Sequence, residues 1–302
     1  MADVTAIVVT YNAAPWIERS LESLQGTEAE LIVVDNGSTD GTVELVRKRF
    51  PEARLVEHEN RGFGAGNNAG MRLGSGRYFL LLNPDAWLTG DALEQLVAFA
   101  DAHPEAGVVG PKLLNPDGTL QRSVRGYPTP WRIATEYFFL RKLAPRSRLL
   151  NAFFGAGFDH ESVRTAEFLG GACLLVRREA VDSIGGFDED FFLMSEEVDW
   201  CYRFRQAGWD VLFYPGAEVV HVIGASHNPA LFKEIVRGHL RFLRKHRGPR
   251  VAERARRVML WGLRLRGLLF HGERGRAYRD TARWLGSGRT ASLLGGLDET
   301  QH

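Results

Sequence analysis

Cysteine is scarce in this chain, with only Cys173 and Cys201 among 302 residues. Both lie in apolar stretches without metal-ligand spacing. That pattern argues against a disulfide framework or a cysteine-held zinc and leads us to expect buried, reduced thiols in a cytosolic protein. Long apolar runs are missing too, and none approaches the ~20 residues that span a bilayer. The first residues pass straight into a strand-like segment without a basic stretch leading an apolar one, so no secretion signal is expected. Nor does the first strand-to-helix connection, TYNAAPW (10–16), carry the glycines of a dinucleotide fingerprint, which argues against a nicotinamide or flavin cofactor. Hydrophobic residues at 44% and charged residues at 25% are ordinary for a globular protein.

The formal net charge of +1 conceals an asymmetry. Residues 230–302 hold 17 Lys and Arg against 6 Asp and Glu, whereas residues 1–229 hold 21 against 31. An acidic body with a basic tail suggests that the tail faces an anionic partner.

The first hundred residues alternate between strand and helix patterns. VTAIVVT (4–10), ELIVVD (30–35), ARLVEHE (53–59) and RYFLLLN (77–83) are strand-like, the first a run fit for burial on both faces. PWIERSLESL (15–24), GSTDGTVELVRKRF (37–50), AGNNAGMRLG (65–74) and DALEQLVAFADAH (91–103) carry helical spacing between them. Such alternation predicts an α/β fold with a parallel central sheet and helices on both faces. After residue 126 the rhythm gives way to an aromatic, basic, Pro- and Gly-punctuated stretch. Strand and helix patterns then return to about residue 220, and from about 230 the pattern is helical throughout.

Parallel sheets bind ligands beyond the carboxyl ends of their strands. The residues at those ends are Thr10-Tyr11-Asn12, Asp35-Asn36-Gly37-Ser38, Asn60-Arg61-Gly62 and Asn83-Pro84-Asp85, all expected along one edge. Leu-Leu-Asn-Pro-Asp occurs twice. At 113–117 it is followed by Gly118 and flanked by extended runs, which is type I turn chemistry and predicts a hairpin. At 81–85 it ends an apolar strand, so Asp85 is expected at a ligand cleft, where a carboxylate calls for a metal or other cation. GFGAGNNAG (62–70) fits a dinucleotide pattern only formally. Its glycines would permit close backbone approach to a ligand, and Asn67 and Asn68 offer hydrogen bonds. In SEEVDWCYRFRQ (195–206), Ser195 is a plausible helix cap, and Glu196, Glu197 and Asp199 fall in the first helical turn. Asp199 and Arg203 are spaced to pair along the helix. Spacing alone leaves open whether Glu196 and Glu197 serve the helix dipole or a proton transfer. His221 ends a further strand pattern, a position that suits a loop residue or, near Asp85, a second metal ligand.

Taken together, AIVVTYNAAPWIERSLESL, IVVDNGSTDGT, NRGFGAGNNAG, LLNPDAWL, GGACLLVRREA and GGFDEDFFLMSEEVDWCYRFRQAGW resemble glycosyltransferase family 2, with its GT-A fold. The similarity spans about residues 4–225 and is greatest to the bacterial rhamnosyltransferase-like branch, which carries Asn-Pro-Asp where other members have Asp-x-Asp. The resemblance implies a GT-A catalytic domain over 1–228, with a nucleotide-binding half at about 1–110 and an acceptor half at about 111–228, followed by a basic helical region at 229–302. It implies that Thr10, Tyr11, Asn12 and Asp35 hold the nucleotide, Asp35 accepting from a pyrimidine N–H. Gly62, Asn67, Asn68 and Asn83 would line the nucleotide sugar and diphosphate, and Asp85 would bind Mg²⁺ or Mn²⁺ with His221 as a second ligand. Gly170 and Gly171 would shape the donor-sugar and acceptor pocket.

The family's base is the Asp of a Glu-Asp pair. Here that position is Glu197 after Glu196, and the expectation is Glu197 as the catalytic base, with Glu196 the alternative. The implied reaction is inverting transfer of a sugar, L-rhamnose from dTDP-rhamnose by analogy, to an acceptor hydroxyl in cell-wall or surface polysaccharide synthesis, with a lipid-linked acceptor among those the resemblance allows. Other readings are a non-catalytic sugar-nucleotide-binding protein and a nucleotidyltransferase. Arg and Lys interleaved with Leu, Phe and Trp in the tail suit a helix lying on the inner face of the plasma membrane, or else a dimer contact. No nucleic-acid partner is expected, because no binding module accompanies the charge.

Overall fold

A computed structural model describes residues 3–147, 149–151, 153, 155, 157–222 and 232–287. These fall into two compact units. The first comprises 3–125, 159–192 and 196–222. The second comprises the described parts of 126–158, residues 193–195, and the helices from 232 onward.

The first unit opens with β1 (Val4–Thr10), α1 (Ile17–Glu22), β2 (Glu30–Asp35), α2 (Thr42–Arg49), β3 (Arg54–Glu57), α3 (Phe63–Leu73) and β4 (Tyr78–Leu82). It continues through β5 (Ala86–Leu88), α4 (Ala92–Ala102), β6 (Ala106–Leu114), β7 (Leu120–Gln121) and β8 (Val124–Arg125). The second unit contributes α5 (Pro130–Tyr137). The chain then returns to the first with β9 (Arg164–Thr165), β10 (Phe168–Leu169), β11 (Cys173–Arg177), α6 (Arg178–Ile184), α7 (Glu196–Gln206) and β12 (Asp210–His221). Helices α8 (Phe232–Arg247), α9 (Pro249–Leu269) and α10 (Gly272–Gly286) belong to the second unit.

The main sheet runs β3-β2-β1-β4-β11-β6-β12-β5, with β7 on β6 and β9 on β12. β3, β2, β1 and β4 are mutually parallel, as the alternating sequence predicts. Beyond β4 the sheet is mixed, because β11 inserts antiparallel between β4 and β6. Every residue of β1 and β4 is buried, so their unbroken apolar runs reflect helices covering both faces.

The glycine-rich segment packs helix on strand. A Cβ at Gly66 would lie 2.7 Å from the Val9 side chain, and one at Gly70 2.5 Å from Ile7, so these glycines let α3 settle on β1. Their close approach is to β1. The turn at 115–118 is the predicted hairpin between β6 and β7: Gly118 N donates to Asn115 O at 2.9 Å, with Gly118 at φ +81°.

In the second unit, α9 buries Ala252, Ala255, Met259, Gly262, Leu263 and Gly267. A Cβ on Gly262 would come within 2.6 Å of Tyr137 in α5. Arg266 is buried and donates to the Tyr137 carbonyl and to the Glu136 carboxylate, so part of the tail's basic charge is structural. Residues 126–158, placed by the sequence reading in the acceptor half, cluster with these helices.

Candidate active site

Parallel pairing aligns the carboxyl ends of the first four strands. Thr10 sits opposite Asp35, Asp35 opposite Glu57, and Val8 opposite Leu82, so the segments that follow emerge along one edge. The loop after β1 is tied to the loop after β2. Asn12, at φ +50°, donates its N–H to Ser38 Oγ and accepts from Thr39 N, both at 2.8 Å. Ala13 N donates to Thr42 Oγ1 and Ala14 N to Asp40 Oδ2. Tyr11 is left exposed on this rim. Asp35 is buried, and its Oδ2 accepts from Gly37 N (3.0 Å) and Ser38 N (2.8 Å).

Several buried polar atoms on this edge lack a hydrogen-bond partner: Thr10 Oγ1, Asp35 Oδ1 and Asn83 Oδ1. Buried polar groups are overwhelmingly paired, so orphans on neighbouring strand ends mark a surface built to meet a polar ligand. Asn83 is held by its backbone, its N–H donating to Ala172 O (2.9 Å) and its carbonyl accepting from Ser20 Oγ (3.1 Å).

Asp85, only 5% exposed, follows directly. After it the chain turns back into β5, which pairs antiparallel with the end of β12, placing His221 opposite Ala86. Val222 N donates to Asp85 O at 3.0 Å. His221 Nε2 thereby stands 3.3 Å from Asp85 Oδ1 without the alignment of a hydrogen bond, while His221 Nδ1 lies 2.7 Å from Gln121 Oε1. Among the described residues no cluster of three or more His, Cys, Asp or Glu is placed to hold a metal. Asp85 and His221 nevertheless fit one. Two neighbouring ligands of an octahedral cation at ~2.1 Å lie about 3 Å apart, and such ions take one or two protein ligands with substrate phosphates and water completing the shell.

The two glutamates sit in different surroundings at the start of α7. Trp200, fully buried, anchors that helix, with ring centroids 4.1 Å from Phe187 and 4.9 Å from Phe204 and its Nε1 donating to Gly185 O at 3.0 Å. Asp199 and Arg203 pair at 2.8 Å as their spacing predicts, and Arg203 also donates to the Gly186 carbonyl. Met194 (φ +68°) and Ser195 (φ +80°) bring the chain in through two left-handed residues. Glu196 is buried, with Oε2 unpaired. Burial first, and the neighbouring Glu197 charge second, hold its carboxyl well above the usual carboxylate range. Glu197 is half-buried and flanked by Gly171, where an added Cβ would lie 3.8 Å from Glu197 Cβ and Cγ. Gly170 N donates to Ser123 O at 3.0 Å, which sets this loop beside β8. Arg125, at the end of β8, is half-buried. Desolvation pushes its guanidinium down, and the Glu197 charge pulls it back up.

The structure brings Thr10, Asp35 and Asn83 together along the strand ends, joins Asp85 to His221, and sets Gly171 against Glu197. The two asparagines also bond within the protein. Asn67 Nδ2 donates to Phe63 O within α3 at 3.0 Å. Asn68 clamps a neighbouring loop, donating to Phe187 O (2.9 Å) and accepting from Phe187 N (2.8 Å). Gly62, at φ +103°, also meets protein: its carbonyl accepts from Asn36 Nδ2, and a Cβ there would fall 2.1 Å from Phe192 O. Arg125 and Gln121 escaped the sequence reading, because no local pattern marks either and their importance lies in distant partners.

A mixed sheet whose leading parallel strands end in unpaired buried polar atoms, in one unit with the acidic helix α7, defines an α/β fold with a candidate ligand edge. Residues 5–185 match the family model for glycosyl transferase family 2, and the chain belongs to that family. It is 35% identical to an N-acetylglucosaminyl-diphospho-decaprenol L-rhamnosyltransferase of Mycobacterium tuberculosis over 237 residues, covering 73% of this chain and 76% of that one. A low-salt glycan biosynthesis hexosyltransferase of Haloferax volcanii is 26% identical over 209 residues, covering 68% and 62%. Among solved structures, a mannosyltransferase from Pyrobaculum calidifontis in complex with GDP-Man and Mn²⁺ superposes with a TM-score of 0.56 at 20% identity, covering 97% of this chain and 81% of that one. TarS of S. aureus (residues 1–349) gives 0.54 at 16% identity, covering 97% and 83%. The fold is GT-A, and the chain is a glycosyltransferase.

Proposed function

We propose that this enzyme transfers L-rhamnose from dTDP-rhamnose, with inversion, to a hydroxyl of a lipid-linked acceptor of the N-acetylglucosaminyl-diphosphate-polyprenol class. Support for the sugar and acceptor comes from the 35% identical relative, whose similarity covers about three quarters of each chain. The observation that carries the site reading is the row of orphaned buried atoms, Thr10 Oγ1, Asp35 Oδ1 and Asn83 Oδ1, on the aligned strand ends. Asp35 Oδ1 is the free oxygen of a carboxylate already fixed by two backbone N–H groups, suited to accept from a pyrimidine N–H.

In this reading Glu197 takes the proton of the acceptor hydroxyl. The acceptor oxygen forms its bond to the anomeric carbon as the bond to the diphosphate oxygen breaks, and the electron pair leaves with the nucleoside diphosphate. A β-configured donor then gives an α linkage. Glu196 is buried, and desolvation and the Glu197 charge hold its carboxyl well above the usual range, whereas Glu197 is half-buried beside Gly171; that difference favours Glu197 as the base. Asp85 and His221 would hold Mg²⁺ or Mn²⁺, which when bound offsets the charge developing on the departing diphosphate. Holding donor and acceptor in line for displacement would supply much of the remaining acceleration.

The tail supports a peripheral membrane role. On α9, Arg254, Arg257, Trp261, Arg264 and Leu268 are all exposed and recur at three- and four-residue spacing along one face. Arg264 stacks over the Trp261 ring at 4.9 Å. Cations alternating with exposed apolar side chains complement an anionic lipid surface. Among the described residues no helix is long and apolar enough to cross a membrane.

The deciding experiment measures nucleoside diphosphate release from a panel of sugar nucleotides by wild type, Asp85→Ala and Glu197→Gln. The expected result is turnover with dTDP-rhamnose that falls about 10²–10⁴-fold in Glu197→Gln and becomes insensitive to added Mn²⁺ in Asp85→Ala. Turnover that survives both substitutions defeats the mechanism.

A further inference from the structure

We infer that the second Leu-Asn-Pro-Asp turn and Gln121 form a hydrogen-bond relay that fixes the tautomer of His221, making Gln121 a positioning residue for the cation site. This rests on the proposal that Asp85 and His221 hold a divalent cation. The relay begins at Asp117, an exposed carboxylate whose Oδ1 accepts from the Thr119 hydroxyl (2.6 Å) and from Thr119 N (2.9 Å). Those bonds hold its pKa below the usual range, so the group is an acceptor only.

The Thr119 hydroxyl proton is therefore committed, and its oxygen accepts from Asn115 Nδ2 at 2.9 Å. That orients the Asn115 amide with Oδ1 toward Gln121, whose Nε2 donates to it at 3.2 Å and to the His221 main-chain carbonyl at 3.0 Å. Both Gln121 N–H groups are then spent on acceptors. A flipped amide would point its oxygen at a carbonyl.

With its amide fixed at both ends, Gln121 presents Oε1 to His221 Nδ1 at 2.7 Å. Oε1 only accepts, so the neutral imidazole carries its proton on Nδ1, and the Nε2 lone pair faces Asp85 Oδ1 at 3.3 Å. The lone pair and the carboxylate oxygen are close but out of line with each other, an arrangement that suits one cation bound by both. Metal-bound histidines commonly have their other ring nitrogen fixed in this way, and loss of such a partner costs about 10–100-fold in metal affinity or activity. Gln121 is buried on the short β7, where the hairpin turn sets its reach to β12. The two copies of the pentapeptide thus meet at one histidine, one supplying the facing carboxylate and the other orienting the ring.

The test uses the full chain labelled with ¹⁵N-histidine and free of added metal, with the His221 signals assigned by their loss in His221→Ala. Long-range ¹H–¹⁵N spectra should show a pyridine-like Nε2 and a protonated Nδ1 in wild type and in Asn115→Asp, which keeps the acceptor facing Gln121. In Gln121→Leu the His221 signals should become those of a tautomer mixture. Mn²⁺ affinity in the presence of dTDP, followed by the EPR signal of free Mn²⁺, should weaken about 10–100-fold in Gln121→Leu and little in Asn115→Asp. A wild-type His221 protonated on Nε2 overturns the inference even if Gln121→Leu and Asn115→Asp fail to fold. So does Gln121→Leu with wild-type spectra and affinity. If His221→Ala binds Mn²⁺ as tightly as wild type, the cation reading fails, while the metal-free spectra still judge the relay.

Discussion

Glu196→Gln separates the two glutamates at the head of α7 by stability as well as by activity. Glu196 is buried, its Oε2 has no partner, and burial together with the Glu197 charge raises its pKa in the folded chain. Below the unfolded carboxyl value of ~4.3 both states are protonated, and the favourable contribution of the neutral form is fully present. Above that value the unfolded chain releases a proton that the folded chain retains. Stability then falls with pH, by about 1.4 kcal/mol per unit for one proton of difference, until pH passes the raised folded value.

Glutamine matches the protonated side chain in shape and cannot release a proton, so this slope disappears in the variant. At roughly 2–4 °C per kcal/mol, the melting temperature of Glu196→Gln should pull ahead of wild type by about 3–6 °C per pH unit. Thermal unfolding followed by circular dichroism from about pH 5 to about pH 8 reads this directly. Turnover of Glu196→Gln should stay within a few fold of wild type, in contrast to Glu197→Gln. Parallel melting profiles, or a gap that closes as pH rises, would refute the reasoning by showing Glu196 ionised in the folded protein.

Asn68→Ala should lower stability by about 2–5 kcal/mol, because it strands both the N–H and the carbonyl of Phe187 in a buried setting. The donor KM of the folded enzyme should hold if the clamp is its whole role, and a raised KM with an unchanged melting temperature would place Asn68 at the donor instead. Gly62→Ala should destabilise by about 3 kcal/mol or more, from left-handed strain and the clash with Phe192 O. Gly118→Ala, at a similar φ but with nothing within 4 Å, should cost only about 1–2 kcal/mol; equal losses in urea titrations would remove the clash from the account. Paired Trp261→Glu and Leu268→Glu substitutions should reduce flotation with anionic phosphatidylglycerol vesicles while leaving catalysis on a soluble acceptor intact. Unchanged flotation, or a shift from dimer to monomer instead, would reassign that face.

The sequence by itself determined the parallel half of the sheet. Unbroken apolar runs such as 4–10 and 78–82 can be buried only between two layers of helix, and once four such strands lie in parallel their polar ends must share an edge. It also separated the two Leu-Asn-Pro-Asp copies, because a glycine after the aspartate permits the left-handed turn residue at 118 and its absence lets the other copy end a strand. Local chemistry was sufficient in both cases.

Tertiary structure decided whatever depends on partners remote in the chain. It spent Asn67 and Asn68 on the protein's own carbonyls and turned the glycines of α3 toward β1. It distinguished Glu196 from Glu197 by burial that adjacent residues with the same side chain cannot encode. The tail's arginines were divided the same way, Arg266 buried against α5 and Arg254, Arg257 and Arg264 left exposed. Asp85 could be read locally as a carboxylate in need of a cation. Its pairing with His221, and the amide that sets which nitrogen of that ring faces it, exist only because β5 folds back against β12 and the hairpin at 115–118 reaches the same strand end. Hydrogen-bond direction propagates through space from one fixed acceptor to the next, and a linear pattern of residue types does not record it.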